Sequence, residues 1–354
     1  MTNTFWYTRC PVPTAFSLAV LNGWIAQDLQ TEGIAFRSLA TTPDRSARQS
    51  HFQQTQPNFF RQGGNTPPLF SRAAGRDVRL IGLSFNESLR VILVRPDSDI
   101  RSVADLRGKR ISIPRRLSDP VDFWRTTVLR GFSDVLAANG LRLQDTVPTE
   151  VRIARAYVDS AQDARRAEDS LWRADFMLGH QREEAEALIR GEVDAIFSQG
   201  AIAAITQGFT GARAIFDSQD TARWVNNDAP LTLTVTGDLL DRRPDLVDRV
   251  VAQTLRAATW ARAQERQAKR LIAIEAGLPE DLVDRAFSPR VHEQLGLSLD
   301  DTLIARLESQ NRLLVDHGFI ERPVDFTRFI DFGPLARAQP LLAETPVPAI
   351  AAAE

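Results

Sequence analysis

The sequence predicts an α/β fold with mainly parallel sheets flanked by helices, and three observations carry that expectation. Short apolar runs with strand character alternate with longer segments whose apolar residues recur at helical spacing, the pattern of a sheet covered by helices on both faces. The runs 78–83 and 91–94 are bounded by turn residues, as buried strands are. A length of 354 residues has room for two domains of ordinary size, since one takes about 100–200 residues.

Taken in order, Phe5-Trp6-Tyr7 opens a strand, residues 15–29 carry a helix, and Gly33-Ile34-Ala35-Phe36 reads as the next strand of a β-α-β unit. Pro67-Pro68 suits the first turn of a helix, where the missing N–H groups are not needed. Residues 102–114 read as a short helix, a glycine stop at Gly108 and a strand. Residues 188–197 read as a helix end, a cap at Gly191 and another strand. Leu231-Thr232-Leu233-Thr234-Val235-Thr236 is expected to be a returning strand. Helices are expected over 244–264, 279–287 and 300–317, and the Ala- and Pro-rich tail 344–354 is expected to fray. No internal repeat is evident.

The segments 102–114 and 188–197 resemble phrases of type II periplasmic solute-binding proteins. That resemblance implies a two-lobed fold with two crossovers and a ligand cleft between the lobes. The division expected is lobe I from 1–92 plus 222–354, discontinuous and carrying Cys10, His51 and Arg61, with 93–221 inserted as lobe II. A fold of this kind says nothing by itself about catalysis.

Composition narrows the partners. The 43 basic and 45 acidic residues are well mixed and give a net charge of −2, which argues against a nucleic-acid footprint. The arginines between 242 and 270 are expected on a solvated, ion-paired helix face. No run approaches the roughly 18 apolar residues of a membrane span. The stretch Met1-Thr2-Asn3-Thr4-Phe5-Trp6-Tyr7 lacks the charged and apolar regions of an export signal, and no apolar run precedes Cys10, so a cytoplasmic location is expected. No metal spacing, phosphate loop or dinucleotide fingerprint is present, and no cofactor is expected.

Cys10 is the chain's one cysteine, so it forms no internal disulfide and is either packing or a reactive centre. Pro11 and Pro13 stiffen the backbone after it, and Arg9 places a cation next in sequence. The run 51–69 adds His51, which titrates near neutrality, and Arg61, a planar fork suited to a two-oxygen anion. Gly63-Gly64 can present bare N–H groups to an anion. Each has a plain alternative: a surface histidine, a surface ion pair and an ordinary turn. Spacing alone does not join Cys10 to Arg61; the alternating fold does, by putting both at strand-to-helix loops along one cleft edge.

The segment Thr4-Phe5-Trp6-Tyr7-Thr8-Arg9-Cys10-Pro11-Val12-Pro13, with His51-Phe52, Gln56-Pro57 and Arg61-x-Gly63-Gly64-x-x-Pro67-Pro68-Leu69, resembles the aromatic sulfinate desulfinases of dibenzothiophene desulfurisation. The resemblance covers nearly the whole chain and is weakest between about 115 and 180. It implies cleavage of 2'-hydroxybiphenyl-2-sulfinate by water to 2-hydroxybiphenyl and sulfite. It further implies that Cys10 is the essential thiol, that Arg61 and the Gly64 amide hold the sulfinate oxygens, and that His51 bonds near the thiol. Phe52 and Gln56 would line the pocket, and Trp124 matches a family tryptophan, with Phe132 a weaker candidate for the second aromatic wall. Ser198-Gln199-Gly200 replaces a bulkier aromatic of the family, which points to a different ring surface. The implied partner is a small aromatic sulfinate bound by a monomer. The competing expectations are a binding protein for an aromatic sulfonate or other small organic anion, and a desulfinase for another arylsulfinate.

Overall fold

In the computed structural model, residues 3–162, 179–219 and 230–344 are described. Their strands are β1 (Thr4–Arg9), β2 (Ala35–Ser38), β3 (Phe59–Gly63), β4 (Val78–Ser84) and β5 (Arg90–Val94). They continue as β6 (Arg110–Arg116), β7 (Val147–Ile153), β8 (Ile196–Gln199), β9 (Arg213–Asp217) and β10 (Leu231–Thr236).

One sheet runs in the order β2-β1-β3-β10-β4. Strands β1, β2 and β3 pair in parallel, while β10 enters antiparallel between β3 and β4. The expected β-α-β unit is present, with its helix broken at Gly23, whose φ of 73° lies in the left-handed region; the pieces are Ala15–Leu21 and Trp24–Gln30. A second group pairs β5 antiparallel with both β8 and β9. The parallel β6-β7 pair joins it through a bridge from Ile111 to Ala195. Each layered sheet is thus parallel apart from its reversed strand, β10 in one and β5 in the other.

The chain crosses between the sheets twice, once between Ser84 and Arg90 and again between Asp217 and Leu231. Arg90 already pairs with Gln199 in the second sheet. Residues 90–92, expected with lobe I, therefore belong to the second sheet, and we propose the lobe boundaries at these crossings. Residues 220–229 and the tail beyond 344 lie outside the described residues.

Each group has its own apolar core. Phe16, Phe60, Val235 and Trp260 pack beneath the first sheet, and Ile113, Val128, Phe132 and Phe197 beneath the second. Among the arginines after 242, Arg243 and Arg249 form the expected surface pairs with Asp245 and Asp28. Arg256 instead is buried, with its guanidinium 4.5 Å from the Trp24 ring centre. No helix among the described residues is long and apolar enough to cross a membrane.

Candidate active site

Cys10 follows β1 directly. Its amide donates to the Gln62 carbonyl at 3.0 Å, so the parallel β1–β3 ladder runs on to the residue that bears the thiol. The turn is then closed by Val12 N–H to the Cys10 carbonyl (2.8 Å) and by Asn86 Nδ2 to the Pro13 carbonyl (2.9 Å). Thr14 caps the following helix by accepting from the Ser17 amide. The thiol is left half-buried at the edge of a cavity of about 190 Å³.

The arginine next in sequence does not serve the thiol. Side chains alternate along a strand, and Arg9 turns the other way, where its Nε donates to both Glu275 oxygens at 2.7 and 2.9 Å. The cation beside Cys10 is Arg61, which sits within β3 opposite Thr8 rather than in a loop. Its Nη2 lies 3.8 Å from Sγ. Nε donates to the His51 carbonyl (2.8 Å) and Nη1 to the Gly64 carbonyl (2.7 Å), so the fork is aimed by backbone on both sides. Arg61 is 1% exposed, and no carboxylate among the described residues pairs with it. Burial pulls its pKa down, while Cys10 and Tyr157 act in the opposite sense.

His51 reaches the cavity from the short helix Ser50–Gln53, with Nδ1 3.0 Å from Thr8 Oγ1. Burial first, and then the Arg61 charge, holds its pKa well below the ordinary value. It is therefore neutral near pH 7. Its contribution to Arg61 comes from the backbone carbonyl, which no sequence pattern reveals.

The two glycines have different jobs. Gly63 has a φ of 146°, and a Cβ there would come within 2.2 Å of Cys10 Sγ. Gly64 lines the cavity, and a Cβ there would meet nothing within 4 Å.

Of the remaining expected residues, Trp124 lines the cavity; Phe52 and Gln56 do not. Phe52 is fully buried behind the wall, its ring stacked at 5.7 Å on Phe123. Gln56 lies half-buried on the loop before β3, since the chain turns at Gln54 with a φ of 49° and brings Gln54 inward to Thr234 instead. Phe132 is core, packed on Phe197 at 6.1 Å. Gln199 and Gly200 line the cavity, and Ser198 is buried just before them.

Five aromatic groups at the cavity were missed in the sequence: Phe85, Phe123, Tyr157, His180 and Phe287. Tyr157 stands 4.8 Å from Phe123 and 5.1 Å from His51, ring centre to ring centre. Its amide donates to Asp119, which also holds Arg116 at 2.5 Å, and Arg116 lies over both the Phe123 and Tyr157 rings. Burial, then Cys10, pushes the Tyr157 phenol well above its usual range, so it stays a donor. The signal available was rarity: the chain has only two tyrosines and four histidines. His180 packs edge-on to Trp124 at 4.9 Å, and burial with Arg116 and Arg155 nearby keeps it neutral. Trp124 Nε1 donates to Glu184 at 2.6 Å; burial lifts that carboxyl to about 7.

With this geometry in view, comparison with known proteins is decisive. The chain is 30% identical over 344 residues to the 2'-hydroxybiphenyl-2-sulfinate desulfinase of Rhodococcus erythropolis, covering 91% of this chain and 90% of that protein. It belongs to the 2'-hydroxybiphenyl-2-sulfinate desulfinase family.

This desulfinase-family chain also superposes on the crystal structure of a cysteine-to-serine variant of the desulfurization enzyme DSZB in complex with biphenyl-2-sulfinic acid. The TM-score is 0.75 at 28% identity, covering 96% of this chain and all of that one. The periplasmic aliphatic sulphonate binding protein SsuA of Escherichia coli matches with a TM-score of 0.63 at 17% identity, over 94% of this chain and 92% of its own, and shows the shared periplasmic-binding-protein-like fold. A family model described as NMT1/THI5 like matches residues 64–120. The desulfinase family and the binding-protein fold expected from the sequence are thus both established.

Proposed function

We propose that this protein is an aromatic sulfinate desulfinase acting in the cytoplasm, cleaving the C–S bond of 2'-hydroxybiphenyl-2-sulfinate with water to give 2-hydroxybiphenyl and bisulfite. The observation that supports it most is the juxtaposition of a buried guanidinium, paired with no carboxylate among the described residues, and a thiol 3.8 Å away. A buried cation is costly unless paired. An anion entering the cavity supplies the missing charge.

In this reading Arg61 and the Gly64 amide hold the two sulfinate oxygens, Tyr157 offers a further donor, and Phe123, Trp124 and His180 form the ring surface. Cys10 donates its proton to the ipso carbon. The C–S bond then breaks with its electron pair going to carbon, and sulfur dioxide leaves. Water captures the sulfur dioxide as bisulfite, and the released proton returns to the thiolate, so atoms and charge balance. A neutral thiol suits the site because attack by a thiolate would bring two anions together at one sulfur. Aromatic walls exclude water and strengthen the grip of Arg61 on the developing charge.

The test is an assay of purified protein with 2'-hydroxybiphenyl-2-sulfinate, following 2-hydroxybiphenyl fluorescence and sulfite together, with Cys10→Ser alongside. Equal amounts of both products, lost in the variant, support the reading. Saturable binding without product overturns it in favour of a binding protein. A covalent sulfur adduct on Cys10 by intact mass would replace the proton-donor role with a nucleophilic one.

A further inference from the structure

The cavity continues beyond the groups assigned to the sulfinate. The helix Phe123–Ala138 presents Phe123, Trp124, Thr127 and Arg130 to it, one stripe of a 3.6-residue repeat. From Phe123, beside Tyr157 and His51, to Arg130 the helix climbs about 10 Å. The stripe turns from aromatic to polar along that climb. At its polar end Gln310 enters the cavity from the helix Asp301–Asp316, next to Ser309, whose hydroxyl accepts from Arg130 Nη2 at 3.2 Å.

Gln310 is 3% exposed, and among the described residues its Oε1 has no hydrogen-bond partner. A buried acceptor left in this state is costly unless a ligand satisfies it. The Thr127 hydroxyl donates to the Phe123 carbonyl at 3.1 Å, so toward a ligand it too is an acceptor. Arg130 adds donors, but its charge is already met by Asp134 at 2.9 Å.

We propose that Thr127, Arg130 and Gln310 form a second polar subsite, which takes a phenolic hydroxyl on the far ring of the ligand. This rests on the desulfinase reading for the identity of that ligand as an arylsulfinate. A hydroxyl fits because it donates to Gln310 or Thr127 while accepting from Arg130. A carboxylate is matched less well, because the Arg130 charge that would hold it is already met by Asp134. The 2'-hydroxyl of 2'-hydroxybiphenyl-2-sulfinate is next to the bond joining the rings and stays at the sulfinate end. The subsite therefore selects a hydroxyl at the distal position of the second ring.

The experiment measures dissociation constants of the full chain by quenching of tryptophan fluorescence, comparing 4-phenylphenol with 4-methylbiphenyl, which has the same size without the hydroxyl. Preference for the phenol is expected to be roughly tenfold, the worth of one buried hydrogen bond. In Gln310→Leu, and separately in Thr127→Val, that ratio is expected to fall toward one, with thermal unfolding confirming the fold. Equal constants in the unmodified protein, or a ratio that survives both substitutions, overturns the subsite. The same comparison with 4'-hydroxybiphenyl-2-sulfinate and 4'-methylbiphenyl-2-sulfinate separates the two readings. Failure of both sulfinates to bind, with the phenol preference intact, leaves the subsite standing and removes the desulfinase assignment.

Discussion

Cys10 Sγ occupies the space where a side chain on Gly63 would begin, with only 2.2 Å between the sulfur and the position of that Cβ. The first glycine of the pair is thus explained by the thiol, and the two strand ends are fitted to each other. Gly63→Ala is expected to push the thiol away from Arg61. It also forces a side chain onto a φ of 146°, and together these effects should cost about 1–3 kcal/mol. Denaturant unfolding and the desulfinase assay would check both effects; a variant with unchanged stability and turnover would contradict the fit.

Gly64→Ala should behave differently. Its Cβ meets no protein atom within 4 Å and projects beside the cavity. Stability is expected to stay within about 0.5 kcal/mol, as for substitutions away from packed contacts. Ligand binding should weaken, seen as a raised dissociation constant for biphenyl-2-sulfinate.

Arg61→Lys keeps the charge but loses the fork that donates to His51 and Gly64 while facing the thiol. A point charge cannot make all three approaches. The specificity constant is expected to fall by roughly a hundredfold or more, the scale of losing a charge-stabilising donor. A near-normal value in steady-state kinetics would remove Arg61 from the site.

Stability should decline on the acid side. His51 and His180 have folded pKa values well below 6.5, so they bind protons more readily when unfolded. Their contribution is present above about 6.5 and lost as pH falls through that value. Glu184 has the opposite slope: raised from 4.5 to about 7, it favours the folded state increasingly as pH drops across that window. Two histidines against one carboxyl leave a net uptake of protons on unfolding, so stability is expected to fall as pH drops between 6 and 5. Denaturant titrations over that range would measure the slope. Glu184→Gln removes the opposing carboxyl and should make the slope steeper.

Local pattern was legible where local physics decides. β10 coincides with the run Leu231–Thr236, and Pro67 and Pro68 lie in the first turn of the helix Thr66–Ala73. The helix expected over 15–29 breaks at Gly23, which propensity alone signalled only weakly. Arg9 misled because adjacency along a strand places neighbours on opposite faces. Gln56 misled because a left-handed turn at Gln54 exchanges which glutamine points inward.

The sequence by itself determined the alternating α/β architecture and the turn chemistry around Cys10, which depend on short-range periodicity. Its resemblance to the desulfinase family singled out Cys10, His51, Arg61 and Gly64, which meet at the cavity. Only the tertiary structure decided that Arg61 rather than Arg9 faces the thiol, that Gly63 makes room for sulfur, and that Tyr157, His180 and Gln310 line the same cavity. Those residues come from elements tens to hundreds of positions apart, and strand pairing and crossover geometry bring them together, which no spacing along the chain encodes.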